Sequence, residues 1–160
     1  MNIALVSLDD SDLIKVGGKH IHQILLEKGL SELGHNVYKF YPKKKFKFII
    51  GKVFFLILVK LKILKKSASY KWTIRSHLKN LQDQVLNCSR EIDLFYTQDP
   101  VSAVAVGRLV DFVNGRKIVL TLHGYLSLES VNYGNYDKSD EINVIREALI
   151  YEKESLNYVY

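Results

Sequence analysis

Acidic residues are missing from the middle of this chain. Between Leu33 and Gln82 there is no Asp or Glu, while the same span holds thirteen Lys or Arg. The formal charge of the 160 residues is only +6, from 23 basic and 17 acidic side chains, so the rest of the chain holds ten basic against seventeen acidic groups, a balance of −7. A block this one-sided wants an anionic partner: a membrane surface, a nucleic acid or a polyanionic substrate. Cysteine is almost absent. Cys88 alone excludes an internal disulfide framework and suits a reducing cytosol, and its place at a polar helix end suggests no catalytic use. There is no internal repeat, no low-complexity segment and no Pro/Gly/Ser linker, so the length reads as one domain. With 48% hydrophobic and 25% charged residues the chain is of globular composition. The opening "MNIALVSLDD" lacks a basic leader region and meets acid after a short apolar run, so it reads as a buried strand rather than a signal peptide.

What is present is an alternation of apolar runs and amphipathic stretches. "IALVSL" (Ile3–Leu8) reads as a strand buried on both faces. Ile21, Ile24, Leu25, Leu30 and Leu33 then recur at helical spacing, closed by Gly34 and His35. "NVYKFY" reads as a second strand stopped by Pro42. Tyr70–Asn87 fits a helix with Trp72, Ile74, Leu78, Leu81 and Val85 as its stripe. "IDLFYTQ" is a third strand. Pro100 opens a helix with Val104, Val106, Leu109, Val110 and Val113 as apolar positions, capped by Asn114 and Gly115. "KIVLTLHG" is a fourth strand, "YLSLESVNYGNYDKS" a loop, "DEINVIREALIYEKESL" an amphipathic helix, and "NYVY" the opening of a fifth strand. Strands alternating with helices imply parallel βαβ crossovers. The expected fold is therefore α/β, a Rossmann-like doubly wound parallel sheet with helices on both faces.

Ligands of such sheets bind outside the carboxyl ends of the strands. The groups expected there are Asp9, Asp10, Gly17 and Gly18 after the first strand, Gln98 and Asp99 after the third, and His123, Gly124 and Tyr125 after the fourth. Glycines at a helix entrance let an anion approach free N–H groups and the positive dipole end, or serve only a tight turn. His123 ends a buried strand and should face the crevice. His20 and His22, two apart, cannot share a helix face and are not a metal pair; His22 is expected to pack near the glycine loop and His20 to be exposed. The fingerprint G-x-G-x-x-G and the acid expected after the second strand are both absent, as is G-x-x-x-x-G-K-[ST]. A dehydrogenase and a P-loop NTPase therefore find no support.

The order of these motifs resembles the N-terminal half of GT-B glycosyltransferases, in particular the retaining family 4, or glycosyltransferase group 1. The matching stretches are "GG" with His22 four residues after Gly18, then "GHNV", "IDLFYTQDP", "KIVLTLHGYLSLE" and "EKESLNYVY". They cover nearly all of the chain except residues 43 to 70. The resemblance implies a Rossmann-like acceptor-side domain over residues 1–160, with a basic apolar insertion at about 43–70 and a C-terminal donor-binding domain lying outside this chain. It implies that His123 is the catalytic histidine beside the donor sugar, that Gly17 and Gly18 form the donor diphosphate loop, and that His22, Asp99, Gly124, Tyr125 and Glu129 line the acceptor side of the cleft. The substrates implied are a nucleotide-diphosphate sugar and a glycan or lipid-linked acceptor, as in cell-envelope polysaccharide or glycolipid synthesis, with no further cofactor and no metal. No E-x7-E carboxylate pair stands in a suitable position, so the half alone is expected to be inactive.

Residues 43–66 carry nine lysines, Lys43, Lys44, Lys45, Lys47, Lys52, Lys60, Lys62, Lys65 and Lys66, around the apolar run Val53–Val59. Seven apolar residues between Lys52 and Lys60 fall short of the roughly 20 that a spanning helix needs. The segment is either a helix packed on the sheet with its lysine stems reaching water, or a patch that meets anionic lipid. The second is favoured, which gives a cytoplasmic protein at the inner face of the plasma membrane. Nucleic acid is disfavoured because the block is too apolar and no recognition motif accompanies it. A non-catalytic α/β module that binds an anionic membrane or a polyanion is the alternative to the enzyme.

Overall fold

Ile3–Val6 contains no polar side chain and runs through the interior of a parallel sheet, 0–6% exposed. The fold is a computed structural model that describes residues 1–9, 18–43, 46–88, 91–109, 115–134 and 136–159, the side chains of residues 46, 47 and 133 aside. Strands β1 (Asn2–Val6), β2 (Asn36–Phe40), β3 (Leu94–Thr97) and β4 (Lys117–Leu120) pair in the order β2-β1-β3-β4, all parallel. Ala4 stands opposite Tyr38 and Phe95, and Phe95 opposite Ile118. This face carries the core. Ala4, Val6, Phe40, Phe95 and Ile118 pack with helices α3 (Lys66–Leu86), α4 (Pro100–Gly107) and α6 (Lys138–Ser155), through residues such as Leu78, Leu81, Val104 and Tyr151. Lys39, turned by strand alternation to the other face of β2, meets Glu27 of α1 (Gly18–Glu32) at 3.1 Å.

Local chemistry sets the helix ends. Gly34 closes α1 with a φ of 82°. The His35 N–H donates to Leu30 O and the Gly34 N–H to Ser31 O, the paired bonds of a left-handed C-terminal cap. α2 (Phe46–Lys60) ends in the same bond pattern, Ile63 N–H to Leu58 O and Lys62 N–H to Val59 O, but with a lysine at the left-handed position, φ 57°. Asp99 caps α4 by accepting from the Ser102 N–H, and Ser102 Oγ lies 3.3 Å from the Asp99 N–H, a capping box with Pro100 at the first helical position. α3 has no side-chain cap of its own. Asp140 of α6 takes that role, accepting from the Lys66 N–H at 2.9 Å and Ser67 Oγ at 2.7 Å.

Several expectations are corrected. α1 does not bury its aliphatic stripe: Ile21, Leu25 and Leu33 are 54%, 62% and 73% exposed, and only Gln23 is buried. Helical spacing identifies a face but not its direction. The inward face here is polar, because the sheet offers Ser7 Oγ to Gln23 Nε2 at 2.8 Å and Lys39 to Glu27. The stretch expected as a loop after β4 contains a helix, α5 (Leu126–Gly134). The expected fifth strand is instead a turn at Leu156–Tyr158, with the Tyr158 ring seated on Gly107 and its hydroxyl donating to Glu154 at 3.1 Å. The basic segment is a shorter helix than 43–66, and it packs on α3 rather than on the sheet. Asp10, Gly17, Lys44, Lys45, Val110, Val113, Asn114 and the side chain of Lys47 lie outside the described residues.

Candidate functional site

Beyond the carboxyl ends of β1, β3 and β4 the described residues enclose a cavity of about 220 Å3, with Asp9, Lys19, Gln98, Asp99, His123 and Glu129 on its walls. The sheet positions them. The Gln98 N–H donates to Val6 O at 3.0 Å and the Thr121 N–H to Thr97 O at 2.9 Å, extending the parallel ladders to the rim. Gln98 is thereby fixed at the mouth, and His123 leaves β4 toward it. The two side chains meet with His123 Nε2 2.9 Å from Gln98 Oε1. The His22 ring of α1 stands edge-on to His123, centroids 4.9 Å apart. Buried polar groups are normally paired, yet two atoms here have no partner among the described residues: Gln98 Nε2, on a residue 1% exposed, and His22 Nδ1.

Charge is arranged around the same mouth. Lys19 Nζ lies 2.9 Å from Asp9 Oδ2 and 3.9 Å from Asp99 Oδ2. Burial works to lower the Lys19 pKa, but Asp99 and Asp9 outweigh it and hold the ammonium above its ordinary value. Burial pushes the Asp99 acid up, against Lys19 and the backbone N–H groups of Ser102 and Leu8, which favour the carboxylate. Burial, the neighbouring His22 and Lys19 all lower the His123 pKa, so the ring is neutral at pH 7. His77 of α3, which lines a separate hollow with Phe48 and Trp72, is also lowered, by burial and then Lys52.

This has a consequence for stability. Both histidines bind protons more weakly folded than unfolded. The unfolded state therefore takes up more protons as pH falls below about 6.5, and stability drops in that window. The melting temperature should fall between pH 7.5 and 5.5, and the fall should shrink in His77→Gln and His123→Gln. A slope unchanged in both variants would contradict it.

The expected site residues distribute as follows. His123, Asp99, Gly124 and Glu129 line the cavity, and His22 stands against His123. A Cβ on Gly124 would meet the end of the Glu129 side chain, so the carboxylate lies directly over this glycine. Gly18 is the first residue of α1, and a Cβ there would meet nothing within 4 Å, so packing alone does not require a glycine. Tyr125, 67% exposed, lies on an adjoining hollow with Pro100, Leu122 and Leu156, and its carbonyl accepts from the Leu128 and Glu129 N–H groups at the start of α5. Asp99 is more structural than expected. One oxygen caps α4 and the other accepts from the Leu8 N–H at 2.8 Å, tying β1 to α4. His20 is half-buried rather than exposed, 4.0 Å from Asp9. Lys19 was not singled out by the sequence, although it directly follows the glycine pair. Among the described residues no group of three or more His, Cys, Asp or Glu could hold a metal ion.

The fold and site define an all-parallel α/β domain with a strand-end cleft that joins one lysine, two histidines, a buried amide and three carboxylates. No protein-family model and no curated protein matches the sequence.

Proposed function

We propose that this chain is the acceptor-side domain of a GT-B glycosyltransferase of the retaining family 4 type, moving a hexose from a nucleotide-diphosphate donor to a glycan or lipid-linked acceptor on the cytoplasmic side of the membrane. In this reading the sheet is doubly wound. β1 to β2 and β2 to β3 run in opposite directions across it, so right-handed crossovers set α1 on the face opposite α3 and α4. The observation that carries the reading is the group formed by His123 and Gln98 on the cavity wall and His22 behind them, with Gln98 Nε2 and His22 Nδ1 buried and without a partner among the described residues.

Each residue then has a role. A neutral His123 that donates Nε2–H to Gln98 Oε1 keeps Nδ1 as an acceptor for a sugar hydroxyl, and the Gln98 amide offers its unused N–H groups to a second hydroxyl. Lys19 and the N-terminus of α1 put positive potential where a diphosphate leaves. Lys19 is held in place by Asp9 until a phosphate competes for it. A second domain grips the nucleotide and closes the cleft against water.

The test is a screen of nucleotide sugars with the complete natural polypeptide, reading acceptor-dependent release of nucleoside diphosphate. Transfer from at least one donor is expected. Absence of both transfer and donor hydrolysis across uridine, guanosine and adenosine diphosphate sugars would overturn the reading.

A further inference from the structure

We propose that α2 is an interfacial helix that lies in the headgroup layer of an anionic membrane, its outer face toward the acyl chains. This does not rest on the glycosyltransferase reading. α2 is held to the protein by a narrow inner stripe. The Phe48 and Phe55 rings stack on Trp72 of α3 with centroids 5.2 and 5.1 Å away, and a Cβ on Gly51 would run into the same indole. Nothing covers the rest among the described residues. Ile49, Ile50, Val53, Phe54, Leu56 and Ile57 are 47–58% exposed. At about 100° per residue these six occupy an outer arc of roughly 160°. Lysine enters that arc only at Lys60, in the last turn, and Lys52 stands at its edge. Leu61 and Ile63 continue the apolar surface at 63% and 64% exposure. Soluble proteins rarely leave a contiguous apolar surface of this breadth in water.

The charge around the arc selects the occupant. Lys43 precedes the helix, Lys60 ends it, and Lys62, Lys65 and Lys66 follow it, all exposed, within the stretch of thirteen cations and no acid. Lysine stems can lie along apolar surface while their ammonium groups reach lipid phosphates. A second copy of the chain would oppose one such cationic block with another. A nucleic acid would use the lysines and leave the arc in water. Only a surface with phosphates above and hydrocarbon below satisfies both. The helix does not cross: no helix among the described residues is long and apolar enough, and fifteen residues reach about 22 Å against a core of about 30 Å.

The experiment is co-sedimentation of the chain with vesicles of phosphatidylcholine alone, or with added phosphatidylglycerol, in about 0.1 M and about 1 M salt, where the screening length falls from about 10 to about 3 Å. Binding to the anionic vesicles should exceed binding to the neutral ones at least about tenfold and weaken in high salt. The double variant Val53→Asp/Ile57→Asp should lose at least about tenfold of the anionic binding, since it removes apolar insertion. These side chains are exposed, so its melting temperature should stay unchanged. If that variant fails to fold, Lys60→Glu/Lys62→Glu carries the test, with the same loss expected. Equal binding to both vesicle types, no binding to either, or full binding by a folded variant would overturn the proposal. So would a concentration-dependent dimer that the apolar variant abolishes without any vesicle binding, because it gives the face to a second copy.

Discussion

If the chain serves a glycosyltransferase, His123→Ala is expected to lower glycosyl transfer by the complete protein about 10²-fold, the range associated with losing a group that positions the substrate, while leaving the fold intact. The ring is exposed and outside the core, with Gln98 Oε1 as its hydrogen-bond partner and His22 at its edge. No core packing is lost with it. The proposed role uses the neutral ring, the form that prevails at neutral pH because burial, His22 and Lys19 hold its pKa below the ordinary 6.5. Turnover of the parent protein should therefore rise with pH only through a window below 6.5 and be level at neutral pH. The His123→Ala variant should lack that limb. Near-normal turnover with the limb retained would remove His123 from the reaction. Gln98→Leu is the companion. It leaves His123 in the chain but takes away the oxygen that accepts its Nε2–H, a contact that favours the protonated ring, so the acidic limb should move further below the ordinary histidine value.

Asp99→Ala should cost roughly 3 kcal/mol of stability, or about 9 °C in melting temperature for a domain of this size. Its carboxylate serves the Leu8 and Ser102 N–H groups at 2.8 Å each and faces Lys19 at 3.9 Å, on a residue only 6% exposed. Alanine strands both donors and removes the cap of α4, a helix buried along its whole length. Asp99→Asn keeps an acceptor oxygen for one of the two donors and should cost about half as much. Thermal or urea unfolding decides it, and a loss under about 1 kcal/mol for the alanine variant would show that water replaces the carboxylate.

These two positions also show what could be read from the chain. A strand buried on both faces writes itself as an unbroken apolar run, which is why Ile3–Val6 is legible; β4 is legible from Ile118–Leu120, although only Ile118 is buried. "DP" before an apolar helix and "GH" after one are local signals with local causes, and Asp99, Pro100 and Gly34 behave accordingly. The rest depends on partners distant in sequence. α1 turns Gln23 and Glu27 inward because Ser7 and Lys39 are there to receive them. α5 carries weak helix formers. It is held by Glu152, which accepts from the Ser127 N–H at 2.7 Å, and by the 2.8 Å contact between Tyr70 OH and Ser130 Oγ. "NYVY" has strand-like composition, but Tyr158 finds a seat on Gly107 first. Lys19 gains its meaning only when Asp9 and Asp99 converge on it from two strand ends.

Saturation-transfer NMR of nucleotide sugars with the complete natural polypeptide tests the cleft most directly, because it reads contact between the sugar and the protein without requiring turnover. The hexose ring protons of at least one donor should receive saturation, and His123→Ala and Lys19→Ala should each abolish most of it, whereas Val53→Asp/Ile57→Asp on the far helix should not. Saturation that is absent for every donor, or that survives both cleft variants unchanged, would contradict a sugar-nucleotide site at the ends of β1, β3 and β4.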